Sequence, residues 1–284
     1  MIQVFKSYFA PPKILNSNKC QEKKDNAIED FKANKKHSFL SHYYRNKKVI
    51  EALETIYNEK CGYCESKTKH VASLQVEHYR PKGGVDESST HKGYYWLGYE
   101  WSNLLLACPK CNGRGAKGNK FPILGTRVFV HSNQSLADTS PLINEKPLLL
   151  NPEIDNPREH FVFDEYGKIE SYTTRGIKTI EICKLDRIDL NRNRKKEVID
   201  DIFKALKLLL VGFNSDTSMP KKTFIIMLKT IFNNLEGKQK PCNCYALFGW
   251  YMFYNFDKFV KIYIPDNFQE LIIEAWRRYR NGKL

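Results

Sequence analysis

The sequence lacks any long hydrophobic run. Its longest apolar stretch, Cys244 to Tyr254, is 11 residues, includes a glycine and is rich in aromatics. A membrane span needs roughly 18 consecutive apolar residues, so this stretch is expected to be buried core. The opening residues, MIQVFKSYFAPPK, have no basic region followed by an apolar one. A secretory leader is therefore not expected, and a cytoplasmic location is. No Gly-x4-Gly-Lys-Ser/Thr loop occurs, so any nucleotide hydrolysis must come from another chain. No internal repeat is visible. Acidic residues are in deficit, 32 against 46 basic, for a net charge of +14. That imbalance favours a polyanionic partner, nucleic acid before an acidic membrane surface.

What is present is ordinary globular material. The 284 residues are 42% hydrophobic and 27% charged, enough for one large domain or two modest ones. Wholesale disorder is excluded. Three segments are expected: a basic helical one over 1–60, a glycine-rich one with four cysteines over 61–125, and a mixed, then mainly helical one over 126–284. Their net charges are +5, +4 and +5, so no single tail carries the positive charge. Helices are expected near 24–36 and 46–59. The second places Val49, Ile50, Leu53, Ile56 and Tyr57 on one face. The third segment opens with a loop-rich stretch over 130–146, followed by strand-like runs at Pro147–Leu150 and Phe161–Phe163. A turn is expected at Tyr166-Gly167. Helical patterns follow near 192–212, 219–235, 243–257 and 266–280.

Eight cysteines in a cytoplasmic chain should be thiols or metal ligands. Cys61-Gly-Tyr-Cys64 and Cys108-Pro-Lys-Cys111 are two C-x2-C knuckles. Each lets two thiolates converge, and together they complete the four-sulfur shell that zinc prefers. With four ligands and no open position, such a zinc is structural. The spacer of 43 residues between the knuckles is long for a zinc ribbon, which implies that a functional unit is threaded through it. Cys20, Cys183, Cys242 and Cys244 are read as reduced thiols.

Within that spacer Leu74, Val76 and His78 alternate with Gln75, Glu77 and Tyr79, as in a half-buried strand that Pro81 ends. An imidazole beside a carboxylate suits hydrolysis: one takes a proton from water near neutral pH, the other holds a hard cation. In a regular strand the two side chains face opposite ways, so a shared site needs the strand to end or distort there. Asn103 precedes a second apolar strand that runs into the second knuckle. Asn112 follows the last cysteine, and Pro109 suits the first turn of a short helix. Tyr94, Tyr95, Trp96, Tyr99 and Trp101 are read as core rather than base-stacking platforms. His70 and His91 are read as bystanders.

The order of knuckle, strand ending Glu-His, Asn, strand, knuckle and Asn resembles an HNH endonuclease of the ββα-metal type. Its four-cysteine zinc scaffold is also seen in phage resolvases of the endonuclease VII kind. The implied fold class is α+β: a small ββα-metal core on a four-cysteine zinc scaffold, embedded in a mostly helical protein. The resemblance implies that His78 is the general base. Glu77 is the adjacent acidic metal ligand, where Asp is usual. Asn103 braces the loop between the strands. Asn112 is the third position, with Asn119 the second candidate for it. Glu77 and Asn112 would then hold Mg2+ or a similar divalent cation. Arg80, Lys117 and Lys120 are candidate phosphate contacts.

A closer resemblance covers roughly 60–165. Val76-Glu-His-Tyr-Arg-Pro-Lys82, Gly93-Tyr-Tyr-Trp-Leu-Gly-Tyr-Glu-Trp-Ser-Asn-Leu104, Lys117-Gly-Asn-Lys-Phe-Pro122, Pro147-Leu-Leu-Leu-Asn-Pro152 and His160-Phe-Val-Phe-Asp164 are similar to the PtuB-like HNH proteins of Septu and retron-linked anti-phage systems. That similarity implies a defence nuclease, DNA favoured as substrate, working with a PtuA-like ATPase and no membrane. An HNH enzyme cutting RNA, such as transfer RNA, and a non-catalytic zinc module that binds nucleic acid or protein are the rival functions. The third segment, 126–284, would serve as an ATPase-docking surface or a helical buttress.

Overall fold

The computed structural model describes residues 1–130, 141–214 and 219–284. Most of the loop-rich stretch expected over 130–146 therefore lies outside the described residues. About half of the chain is helical, and the sheets are small. Two compact units form. One comprises residues 1–161 and 171–185, the other residues 162–170 and 186–284.

The first unit begins with helix α1 (Asn18–Lys32). It starts ahead of the expected Lys24 because the Ser17 hydroxyl accepts the Cys20 N–H and caps the first turn. A short α2 (Ser41–Tyr44) follows, then α3 (Lys47–Ile56), capped by the Asn46 side chain on the Lys48 N–H. Val49 and Leu53 of α3 are fully buried, as the apolar stripe requires. Strands β1 (Gln75–His78) and β2 (Leu104–Ala107) pair antiparallel, with Glu77 opposite Leu105 and His78 opposite Leu104. All four β2 residues are buried, which suits a continuous apolar run. Helix α4 (Pro109–Asn112) follows directly, with Pro109 at its first position, where a missing N–H costs nothing.

The strand-like run Pro147–Leu150 forms only one bridge, Ile123 to Pro147. Leu149 and Leu150 are instead a buried loop, and the Thr179 hydroxyl accepts the Leu150 N–H. Thr179 lies on α5 (Thr174–Cys183), capped by Thr173. The sequence patterns do not single this helix out. Its Gly176 and β-branched residues are weak helix formers, and burial of Thr179, Ile182 and Cys183 outweighs them.

The second unit holds a hairpin of β3 (Val162–Phe163) and β4 (Ile169–Glu170), with Gly167 at φ +76° in the expected turn. Helix α6 (Ile188–Arg194) passes through a π-helical stretch, Lys195–Asp200, into α7 (Asp201–Asn214). Helices α8 (Lys221–Gly237), α9 (Ala246–Tyr254), α10 (Phe256–Tyr263) and α11 (Asp266–Arg280) complete it. The single helix expected over 243–257 is broken at Asn255, whose φ of −118° leaves the helical region. The Phe232, Phe256 and Trp276 rings form the aromatic centre of this unit. Among the described residues, no helix is long and apolar enough to cross a membrane.

Candidate active site

The four knuckle cysteines converge. Their sulfur atoms all lie within 4.8 Å of one another, and all four residues are buried. The Cys64 and Cys108 sulfurs are 3.8 Å apart. Four Zn–S bonds of about 2.3 Å in a tetrahedron require sulfur separations of about 3.8 Å, so the cluster fits a zinc ion. The chain builds it by local means. Gly62 donates its N–H to Leu106 O at 2.8 Å, which fastens the first knuckle to β2. A Cβ at Gly62 would meet the Tyr57 ring at 2.7 Å, so only glycine fits there. Cys108 caps α4, and the Cys111 N–H turns back to Cys108 O at 3.0 Å.

His78 ends β1 and is 6% exposed. Its Nε2 lies 2.9 Å from Gly98 O. A carbonyl only accepts, so Nε2 carries the hydrogen and Nδ1 keeps its lone pair. Lys82 Nζ sits 3.3 Å from that Nδ1 and donates to it. The Tyr44 ring meets the imidazole edge-on at 4.8 Å. Burial, and then the Lys82 charge, hold the His78 pKa well below the usual imidazole value. Gly98 is a glycine for a reason: a Cβ there would meet the Phe39 ring at 2.2 Å.

Regular pairing runs to the end of β1, so Glu77 leaves the opposite face from His78. Its carboxylate forms an ion pair with Lys117, whose ammonium also donates to His78 O at 2.9 Å and Gly118 O at 3.3 Å. Lys117 is fully buried. Burial raises the Glu77 pKa, and the Lys117 charge opposes that rise.

Asn103, also fully buried, clamps the residue after Tyr79. Its side chain accepts the Arg80 N–H at 2.8 Å and donates to Arg80 O at 3.0 Å and Leu97 O at 3.2 Å. The amide thus continues the ladder beyond the strand and fixes the exit from His78. Asn112 lies over the Glu77 face, with its amide donating to Gln75 Oε1 at 3.1 Å.

The three basic candidates differ in access. Arg80 is buried, with Nε on Glu145 at 2.9 Å and a second nitrogen on Leu142 O at 2.7 Å. Lys117 is engaged as above. Lys120 is partly exposed, with Nζ on Ala116 O at 2.8 Å. Tyr94, Tyr95, Trp96, Tyr99 and Trp101 are all buried. His91 is buried against Val128 O, and His70 is exposed. Asn119 is exposed, and its carbonyl accepts the Asp86 N–H. Sequence reasoning missed Lys82, Gly98 and Tyr44, all of which touch the imidazole. Lys82 had a signal, since it stands four residues after His78. Gly98, twenty residues on, had none.

A buried carboxylate and an amide oxygen are hard donors of the type magnesium accepts, the remaining positions being left to water and phosphate. Glu77 and Asn112 fit a divalent cation in donor chemistry. The Lys117 ammonium already rests on the carboxylate, so an entering cation must displace it or share it.

No family model matches the chain. It is 34% identical over 193 residues to a Septu protein PtuB of Bacillus mycoides (strain KBAB4), covering 63% of each chain. It is 32% identical over 170 residues to a Septu protein PtuA of the same strain, covering 58% of this chain and 22% of that one. Over 116 residues it is 32% identical to a retron Vc95 protein of Vibrio cholerae whose name assigns it to the HNH endonucleases, covering 38% and 53%. The chain spans less than two thirds of the length of each of these relatives.

Proposed function

We propose, for a chain homologous to Septu PtuB proteins and to a retron HNH protein, that it is a divalent-cation-dependent HNH endonuclease of anti-phage defence. In this reading β1, β2 and α4 are the ββα unit and the four cysteines its zinc scaffold. The partner would be a PtuA-like ATPase and the favoured substrate DNA. The names of the relatives support the nuclease and the defence role. The match to a protein named PtuA supports that partner.

One observation carries the chemistry: His78 Nε2 lies 2.9 Å from Gly98 O, an acceptor that places the ring hydrogen there and leaves Nδ1 as the basic atom. Nδ1 would take a proton from a water in line with the scissile phosphate. For that to happen Lys82 must withdraw from Nδ1, and a phosphate oxygen is a stronger acceptor for its ammonium than a neutral imidazole. Asn103 holds the strand exit so that the ring cannot turn away. A cation held by Glu77 and Asn112 would offset charge on the phosphate and the leaving oxygen only once the end of β1 distorts, because Glu77 and His78 leave opposite faces of the regular strand. Products should carry 5′-phosphate and 3′-hydroxyl ends.

The test is cleavage of plasmid DNA and of total transfer RNA by the zinc-loaded chain, with and without its PtuA-like neighbour and with and without Mg2+, across pH. Cleavage should require the divalent cation. The rate should hold as pH falls through about 6.5, where an ordinary imidazole would be half protonated, because the folded pKa lies below that value. Stability follows the same sign. The unfolded chain binds the proton first, so stability is full above about 6.5 and is lost as pH falls toward the depressed folded value. No magnesium-dependent cleavage of either substrate would defeat the proposal.

Lys117 gives a second prediction. Replacing it with methionine strips the buried Glu77 carboxylate of its counter-charge, which should cost about 3 kcal/mol. Mg2+ or Mn2+ should then restore the loss. The melting temperature of Lys117→Met should therefore rise with added cation more than that of the unmodified protein. Equal responses would mean that Glu77 does not receive the cation.

A further inference from the structure

Beside the candidate base lies a basic, aromatic-walled cleft that none of the roles above uses. Its volume is about 600 Å³. The C-terminal half of α1 and the segment after it form one wall, and Lys82-Gly83-Gly84 forms the other. Lys35, Lys36, Lys82 and Lys92 line it, and no carboxylate is among the described lining residues. Lys35, Lys36 and Lys92 are exposed. Phe31 and Phe39 are half-buried in the wall. One face of Phe31 is stacked on Tyr95 at 4.1 Å, and Lys92 reaches over the ring at 6.0 Å.

His78 does not itself line the cleft, but two lining residues, Lys82 and Phe39, connect the cleft to the imidazole. Lys82 touches His78 Nδ1, and Phe39 packs on Gly98, whose carbonyl holds Nε2. Lys82 and Phe39 thus place the cleft beside His78 Nδ1. That atom is recessed, because His78 is 6% exposed. A flexible strand can bend toward a recessed atom more readily than the rigid cylinder of a duplex. Cationic grooves with aromatic faces are what unpaired strands recognise, through backbone charge and base stacking.

We propose that this cleft binds a single, unpaired polynucleotide strand and leads it to His78. The proposal rests on the nuclease reading and narrows its substrate from nucleic acid in general to unpaired segments. The probes are fluorescent 20-nucleotide single-stranded DNA, single-stranded RNA and duplex DNA of the same sequence, titrated into zinc-loaded protein in magnesium-free buffer. Single strands should bind at least tenfold more tightly than the duplex, and the DNA and RNA arms separate the two sources of such strands. The exposed triple variant Lys35→Glu/Lys36→Glu/Lys92→Glu should lose at least tenfold in single-strand affinity. Its log–log salt dependence should flatten by about 2, from about 0.7 per lost phosphate contact. Phe31→Leu, which keeps the bulk but not the ring, should weaken single strands severalfold and leave duplex binding unchanged.

The proposal is overturned if the triple variant binds strands as the unmodified protein does, or if duplex binds as tightly as single strand. The two readings fail separately. Unchanged strand binding in the triple variant, together with loss of cutting in a His78 variant, removes the cleft and keeps the nuclease. Lysine-dependent strand binding by a protein that never cuts removes the nuclease and keeps the cleft as a binding site.

Discussion

Replacing His78 with alanine is expected to lower the cleavage rate about a thousandfold, within the range a positioned general base contributes. The size of the effect follows from the geometry. Only Nδ1 is left as a base, facing Lys82 Nζ at 3.3 Å, and Nε2 is committed to Gly98 O at 2.9 Å. The ring is buried, so alanine also leaves a cavity, and loss of activity alone would not separate chemistry from folding. His78→Gln resolves this. Its amide can still donate to Gly98 O and fill the space, but it is no base at neutral pH. Both variants should keep one zinc per chain and an unmodified circular dichroism spectrum. Cutting by either at the unmodified rate would remove His78 from the reaction.

Removal of zinc should have the larger structural effect. Binding to four thiolates contributes on the order of 10 kcal/mol, which matches or exceeds the net stability of a typical domain. The first knuckle is hydrogen-bonded to β2 at Leu106, and the second leads out of β2 into α4, so the C-terminal end of β2 loses the support of both knuckles. Without the ion, four buried thiols have no common partner. Cys111→Ser, or treatment with a strong chelator, should lower the melting temperature of the first unit by tens of degrees. Limited proteolysis should open 61–125, and one equivalent of zinc should appear on metal analysis. A zinc-free chain with unchanged melting and protease resistance would overturn this assignment.

The parts of the fold and site that sequence reading reached are those set by short-range pattern. The knuckles could be read because two residues between cysteines is a local rule, and their sulfurs do converge. Strands around 75–78 and 104–107 followed from alternation and from an apolar run ending in turn residues. Helix α11 falls over 266–280 as its pattern predicts. The bracing place of Asn103 came from resemblance, since no pattern shows that an amide will pair with a backbone 23 residues away. Long-range electrostatics was not legible. Arg80 and Lys117 are basic residues in a basic chain, and sequence alone offers them as candidate phosphate contacts. The fold instead brings Glu145 to one and Glu77 to the other, and burial makes each pair obligatory. Helix α5 was missed because its stability lies in what it covers, not in its own residues.

The zinc cluster also bears on how such a chain can change over evolutionary time. The 43 residues from Glu65 to Ala107 form a segment whose ends meet at the four-cysteine cluster, where one zinc would tie them. Doubling the length of a flexible loop raises its closure cost by only about 0.6 kcal/mol. Against a tie worth on the order of 10 kcal/mol, that is a small perturbation. Insertions between Lys82 and Gly93 should therefore be tolerated energetically while β1, β2 and Asn103 keep their register. On the proposed reading, a zinc at the cluster would free the length and chemistry of this loop to drift, and substrate preference could change without rebuilding the site around His78.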